Sequence, residues 1–181
     1  VVDKTNATIY ETARLNGDID AMAAATQSII VQIESGGDPN AVSPRGAMGR
    51  YQVMPGTARS PGFGIPPAKD HSSAELDRVG KAYWRAMIAG KSGSGVLLWE
   101  PGDLEAASVA YNAGPQVANN WIKSGRNDAM LPAETRNYKQ KVTSKLANWK
   151  APTPQDKYAI AADMYEQARQ ANDLDKFEEL M

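Results

Sequence analysis

The sequence predicts an all-α fold, and three observations carry that prediction. Apolar residues recur at spacings of three and four in several separate stretches, the signature of helices with one buried face. Aspartate or serine stands ahead of most of these stretches and glycine behind them, where helices start and stop. Prolines and glycines crowd into one segment, residues 38–69, which leaves little room for strand there.

Taken in order, Ile9, Ala13 and Leu15 fall on a short amphipathic run that stops at Asn16-Gly17. Either Asp18 or Asp20 can cap the next helix, which carries Met22, Ala25, Ile29, Ile30 and Ile33 and ends at Gly36-Gly37. Residues 38–69 contain Pro39, Pro44, Pro55, Pro61, Pro66 and Pro67 and read as an irregular excursion with one helical turn around Thr57-Ala58. Excursions beyond ~12–15 residues in compact domains are usually functional or disordered. Ser72-Ser73-Ala74-Glu75 fits a capping box, opening a helix through Leu76, Val79, Tyr83, Trp84, Met87 and Ile88 to Gly90. Lys91 to Gly95 reads as a flexible connector. Asp103 caps a helix holding Ala106, Ala107, Ala110 and Tyr111, which Gly114-Pro115 terminates. A shorter helix follows around Val117 to Ile122, and Pro132 opens a long one towards Trp149. After Pro152-Thr153-Pro154, a stripe of Tyr158, Ala161, Ala162, Tyr165 and Ala168 changes the character of the chain. The expected organisation is one domain at 1–150 and a helical tail or linker at 151–181.

Composition narrows the function classes. The chain of 181 residues can bury roughly 70% of its unfolded surface, enough for a core without staples. It has no cysteine, so neither a disulfide framework nor thiolate chemistry is expected. Lys plus Arg number 20 and Asp plus Glu 21, a net charge of −1, which offers no basic face for a nucleic acid. No apolar run approaches the roughly 20 residues of a membrane span. A single histidine, His71, and no His-Glu-x-x-His make a zinc site an unsuitable reading, and Asp18-Ile19-Asp20 does not extend into a calcium loop. No cofactor is expected. The four tryptophans, Trp84, Trp99, Trp121 and Trp149, can stack on sugars but are more simply core or interface anchors.

Glu34 is the candidate catalytic residue. It stands at the C-terminal end of an apolar helix, where the negative end of the macrodipole disfavours its charged form. Ile30 and Ile33, with Met48 or Met54, would desolvate it in the same direction. Both effects raise its pKa, as a general acid near neutral pH requires. An isolated Glu-Ser pair is more simply a solvated helix end, so the weight comes from what accompanies it. Ser35 can hydrogen-bond to the acid or to the loop, and counts among the candidate substrate-binding residues. The loop carries Gly46-Ala47-Met48-Gly49-Arg50-Tyr51-Gln52-Val53-Met54-Pro55-Gly56-Thr57-Ala58, and later come Ala110-Tyr111-Asn112-Ala113-Gly114 and Leu131-Pro132-Ala133-Glu134-Thr135-Arg136-Asn137-Tyr138.

These four pieces, in this order, resemble the lytic transglycosylase family with the lysozyme-like fold, enzymes that cut the glycan strands of peptidoglycan. The resemblance covers roughly residues 20–145. It implies that Glu34 acts alone, that Gln52 points into the cleft, and that the backbone near Met48 contacts the substrate's acetamido group. It further implies that Tyr111 and Asn112 line the cleft, Asn112 as a substrate hydrogen-bonder and Tyr111 as an orienter of Glu34, and that Tyr138 is a cleft-facing aromatic. Glu134 and Arg136 are read instead as helix-start and ion-pair residues. Where the family commonly has Leu-Met, this chain has Arg50-Tyr51, which removes an apolar contact and offers a tyrosine that could stack on a sugar. Peptidoglycan is the implied partner and the cell wall or periplasm the implied place of action. The Pro61-Gly62-Phe63-Gly64 insertion also resembles transglycosylases that tailed phages carry in the virion, which implies a virion assembly as a further partner. A bacterial wall-remodelling enzyme, a goose-type lysozyme-like hydrolase and a non-catalytic peptidoglycan-binding module are the alternatives.

Overall fold

Asp18, not Asp20, begins the central helix. Its carboxylate accepts a hydrogen bond from Ala21 N at 3.0 Å, the usual way an N-cap satisfies an orphan donor. Asp20 instead pairs across the surface with Arg85. In the computed structural model, residues 4–146 are described, together with Ala162, Tyr165, Glu166 and Arg169 of the tail, which are helical. The expected break at Pro152-Thr153-Pro154, the rest of the tail and Trp149 lie outside the described residues.

Seven α-helices make up the described chain: α1 (Lys4–Leu15), α2 (Ile19–Ser35), α3 (Pro55–Arg59), α4 (Ser73–Ala89), α5 (Leu104–Ala113), α6 (Pro115–Lys123) and α7 (Ala133–Lys145), with a 3-10 turn at Asp128–Met130. Among the described residues extended pairing is limited to isolated bridges, Val42 with Met48, Met48 with Val53, and Lys91 with Leu97. The fold is all-α, as the sequence predicts. Helix α2 packs on α1, α4 and α7, and α5 packs on α4, α6 and α7.

The core is built where small and large side chains meet. Trp84 of α4 is fully buried and its indole N–H donates to Thr26 Oγ1 of α2 at 2.8 Å, which in turn donates to Met22 O at 2.9 Å. Trp99 and Trp121 are buried too, so the three described tryptophans are core anchors and none is a sugar platform. Tyr10 rather than Ile9 anchors α1: Ile9 is 45% exposed, whereas Tyr10 is buried with its hydroxyl on the Gly102 carbonyl. The capping box at Ser72 is half made. Ser72 Oγ accepts from Glu75 N at 3.3 Å, but the Glu75 carboxylate turns to Lys69 N and Arg78. The connector after α4 is a hydrogen-bonded turn, closed by Ser92 N on Val96 O at 2.7 Å. Pro132 lies one residue outside α7, as its cap.

Candidate active site

The carboxyl of Glu34 sits in the last turn of α2. Gly36 ends that helix in the left-handed region (φ 64°), its N–H returning to Gln32 O at 3.1 Å, and so turns the chain away immediately after the acid. Burial pushes the Glu34 pKa up to about 7. Tyr138 works against this by directing its O–H dipole at the carboxylate, while the charge of Glu134 adds to the rise. The Tyr138 hydroxyl is itself buried and meets no partner at full hydrogen-bond geometry. Burial also raises the Tyr138 and Tyr111 phenols well above their ordinary value, so both remain O–H groups beside the acid.

Tyr111 belongs to the site, but not as an orienter of the acid by hydrogen bonding. Its hydroxyl donates to Tyr51 O at 2.7 Å. Its ring stacks on Tyr138 at 6.4 Å and 11° and meets Trp84 edge-on at 5.7 Å, so it orders the aromatic surroundings of Glu34. Asn112, the next residue, is held by its carbonyl end: Thr135 Oγ1 of α7 donates to Asn112 Oδ1 at 2.8 Å. That bond orients the amide and leaves its NH₂ as the donor.

The loop after α2 is fixed to three helices at two successive residues, Arg50 and Tyr51. Ser35 Oγ donates to Arg50 O at 2.8 Å and accepts from Gly37 N at 3.1 Å. Of the two expectations for Ser35 the loop contact holds, and the hydroxyl is spent as a pin rather than as a substrate contact. Tyr51 O is the acceptor for Tyr111 of α5. The Arg50 guanidinium pairs with Asp77 of α4 at 2.7 Å. Tyr51 is only 3% exposed and lies against Gly80 of α4, where an added Cβ would stand 2.3 Å from Tyr51 Cβ. Tyr51 therefore cannot stack on a sugar. Arg50-Tyr51 replaces an apolar pair with a clamp onto α4.

Two further expectations change. Gln52 adopts a positive φ (50°), and its Nε2 donates to Gly49 O at 2.9 Å and Ala41 O at 3.2 Å. Its amide hydrogens hold the loop, and only the side-chain oxygen is left for a ligand. Met48 exchanges both backbone bonds with Val53, each at 2.9 Å, so its N–H is not available to an acetamido group. The half-buried Met48 side chain packs against the core instead.

Sequence reasoning missed Thr135, Glu134, Gly80 and Asp77. Thr135 and Glu134 sit inside a motif already singled out. A glycine inside a helical pattern, as at Gly80, signals a close approach of another chain segment.

Residues 15–131 match the family described as Transglycosylase SLT domain. The chain belongs to that family. It is 31% identical over 137 residues to the soluble lytic murein transglycosylase of Escherichia coli strain K12, and equally to that of Escherichia coli O157:H7, covering 67% of this chain and 19% of each relative. The chain thus spans about a fifth (19%) of the length of these curated relatives. In structure it is similar to the 70 kDa soluble lytic transglycosylase of Escherichia coli, with a TM-score of 0.51, 24% identity, and coverage of 79% of this chain and 29% of that one, a likeness of fold. The stretch matched to the SLT family holds Glu34, the loop and Tyr111-Asn112, whereas Glu134, Thr135 and Tyr138 lie just beyond it.

Proposed function

We propose that this SLT domain cleaves the β-1,4 bond of peptidoglycan glycan strands as a lytic transglycosylase, with Glu34 as the sole general acid and base. The observation that carries this reading is the Glu34 carboxyl, desolvated beside Tyr138 with a pKa of about 7. Such a group is poised to give and take a proton at neutral pH.

Glu34 donates its proton to the glycosidic oxygen as the bond to C1 of the muramoyl residue breaks. The substrate's acetamido oxygen stabilises the positive charge at C1. The Glu34 carboxylate then takes the proton of the C6 hydroxyl, whose oxygen closes onto C1, leaving a 1,6-anhydro end and a re-protonated acid. The Asn112 NH₂ and the Gln52 side-chain oxygen are the polar groups left to hold the sugars, with Tyr138 bounding the reacting face.

Hydrolysis would require a second carboxylate to activate water. Asp103 cannot serve, because it caps α5 and is engaged by Arg126. Asp38 is exposed and closes its own turn on Asn40 N at 2.8 Å. Glu134 is the carboxylate whose charge Glu34 feels, and it is exposed at the start of α7. The test is mass spectrometry of a total digest of purified sacculi. Muropeptides ending in 1,6-anhydro-N-acetylmuramic acid support the reading. Reducing ends would make the protein a hydrolase with Glu134 as the first base to examine, and no soluble product would favour a binding module.

The place of action under this reading is the bacterial cell wall. The Pro61-to-Gly64 insertion favours a virion-borne enzyme that opens the wall during phage genome ejection over a wall-remodelling one. Peptides of this chain in purified virions would support that setting, and their absence would return the enzyme to the bacterial envelope.

A further inference from the structure

A cavity of about 510 Å³ opens between α4 and the first half of α2. That volume lies within the range of small-ligand pockets, roughly 300–1,000 Å³. Its lining includes none of Glu34, Gln52, Tyr111, Asn112 and Tyr138. Gln27, on the α2 wall, precedes Glu34 by about 10 Å along the helix axis. Trp84 is fully buried at this cavity and also meets Tyr111 edge-on at 5.7 Å. The cavity therefore backs onto the aromatic surroundings of the acid without including the acid itself.

The lining decides what the cavity can hold. Ala23, Ala24, Ala74 and Ala82 give it small apolar walls. The charges among them are spent to different degrees. Arg78 is fully engaged by Glu75 and by the carbonyls of Pro66 and Pro67. Arg85 gives its Nε to Asp20, and among the described residues its two outer nitrogens have no partner. The side chains of exposed Lys81 and half-buried Gln27 likewise have none among the described residues. Lys81 and Arg85 are an i,i+4 pair on α4 and share one face of it. The cavity thus presents an ammonium, the outer edge of a guanidinium and an amide, with nothing bound to them. Asp77 also lines it, but is already paired with Arg50 at 2.7 Å.

We infer that the α2–α4 cavity is a second ligand site, independent of the Glu34 chemistry, which takes a short peptide by its terminal carboxylate. Lys81 and Arg85 receive the carboxylate in charge-assisted hydrogen bonds. The Gln27 side chain, donor and acceptor at once, matches a peptide group. Small ligand side chains fill the space over the alanines. The charge of Asp77 repels the carboxylate, so the anionic end of the ligand lies towards Lys81 and Arg85. A bare phosphate would satisfy the two cations but leave the amide and the alanine walls without a partner, which favours the peptide.

The test uses the whole chain, titrated with N-acetyl-trialanine and followed through its backbone amides by nitrogen-15 NMR. The expected result is a saturable shift at Gln27, Lys81 and Arg85, with Glu34 and Tyr138 unmoved. The same peptide with its carboxylate amidated should bind about tenfold more weakly, the loss of one charge-assisted contact, and so should the free acid to Lys81→Gln. Lys81→Arg should restore the affinity. Ala24→Leu, which fills the cavity from an exposed helix position, should abolish binding with the melting temperature kept. Sacculus lysis by Lys81→Gln should match that of the parent. Equal affinity for the acid and the amidated peptide overturns the carboxylate assignment. Shifts confined to the surroundings of Glu34, no shift at any residue, or undiminished binding by Ala24→Leu overturn the site. Inorganic phosphate that moves the same resonances as strongly as the peptide makes this a plain anion site and overturns the peptide. None of these outcomes bears on Glu34, whose role is read from the digest products.

Discussion

The two ends of α5 solve opposite problems. At its N-terminal end every charge meets an opposite one. Asp103, 6% exposed, caps the helix through Ala106 N at 3.1 Å and binds Arg126, which also reaches Glu105 at 3.4 Å. Lys139, 7% exposed, bonds both oxygens of Asp128 at 2.9 Å, and Lys139 and Arg126 each lie 5.0 Å from the Trp121 ring centroid. At the C-terminal end, Tyr111 lies beside the Glu34 carboxyl, which among the described residues has no ion pair and has a raised pKa. Both ends bury ionisable groups, but one end pairs them and the other leaves its carboxyl unpaired among the described residues. Compensated charge builds the fold, and uncompensated charge is available for chemistry.

Breaking the compensated end should have the largest effect on stability. Asp103→Ala removes the cap and leaves Arg126, beside Trp121, with only its longer contact to Glu105. We expect a loss of about 3 kcal/mol, measured by urea unfolding, with activity per folded molecule retained. A loss below about 1 kcal/mol would mean that the network is already solvated and the contrast is false.

Glu34→Gln should do the reverse. It cannot deliver a proton, and the rate of sacculus lysis should fall at least ~10²-fold. Its stability should equal or exceed that of the parent, in a pH-dependent way. The folded pKa lies above the ordinary 4.5, so the contribution of Glu34 to stability is complete below pH 4.5 and lost as pH rises through about 7. The variant should therefore gain on the parent in melting temperature between these two values and run parallel to it outside them. A gain that instead grows as pH falls would reverse the sign of the argument.

Gly80→Ala probes the clamp between the two ends. A Cβ there meets Tyr51 Cβ at 2.3 Å and Cγ at 2.5 Å, so the loop must move off α4. The overpacking should cost about 1–3 kcal/mol. Because Tyr51 O holds Tyr111, kcat should fall beyond what the unfolded fraction explains. Smallest is Thr135→Val, which keeps the shape and leaves Asn112 Oδ1 without its donor, at about 0.5–1.5 kcal/mol. Its mark should be a raised KM as the Asn112 amide loses its orientation. An unchanged KM would remove Asn112 from substrate binding.

Much of the fold was legible because its helices announce themselves locally. Asp18, Ser72 and Asp103 cap, Gly36, Gly90 and Gly114 stop, and the spacing between them fills the core faces. The face of α1 was not legible, since a run so short does not say whether Ile9 or Tyr10 turns inward. The direction of the Glu34 pKa shift was legible in its place at a helix end among apolar residues, whereas its candidacy as the acid came from the motifs that accompany it. What the loop does with its polar groups did not follow. Whether the amide of Gln52 and the N–H of Met48 face the cleft or the loop depends on backbone bonds closed over a few residues. The clamp of Arg50 and Tyr51 on Asp77 and Gly80 joins segments far apart in sequence, and no local pattern encodes it.

Every step assigned to Glu34 requires that the folded protein keep this carboxyl half-protonated at neutral pH. Carbon-13 NMR of the glutamate side-chain carboxyls, with Glu34→Gln used to assign the resonance, reads that property directly. A Glu34 titration with its midpoint near pH 7, separate from the other glutamates, is the expected result. A midpoint in the ordinary glutamate range, at about 4.3, would mean a solvated and ionised Glu34 with no proton to give at neutral pH.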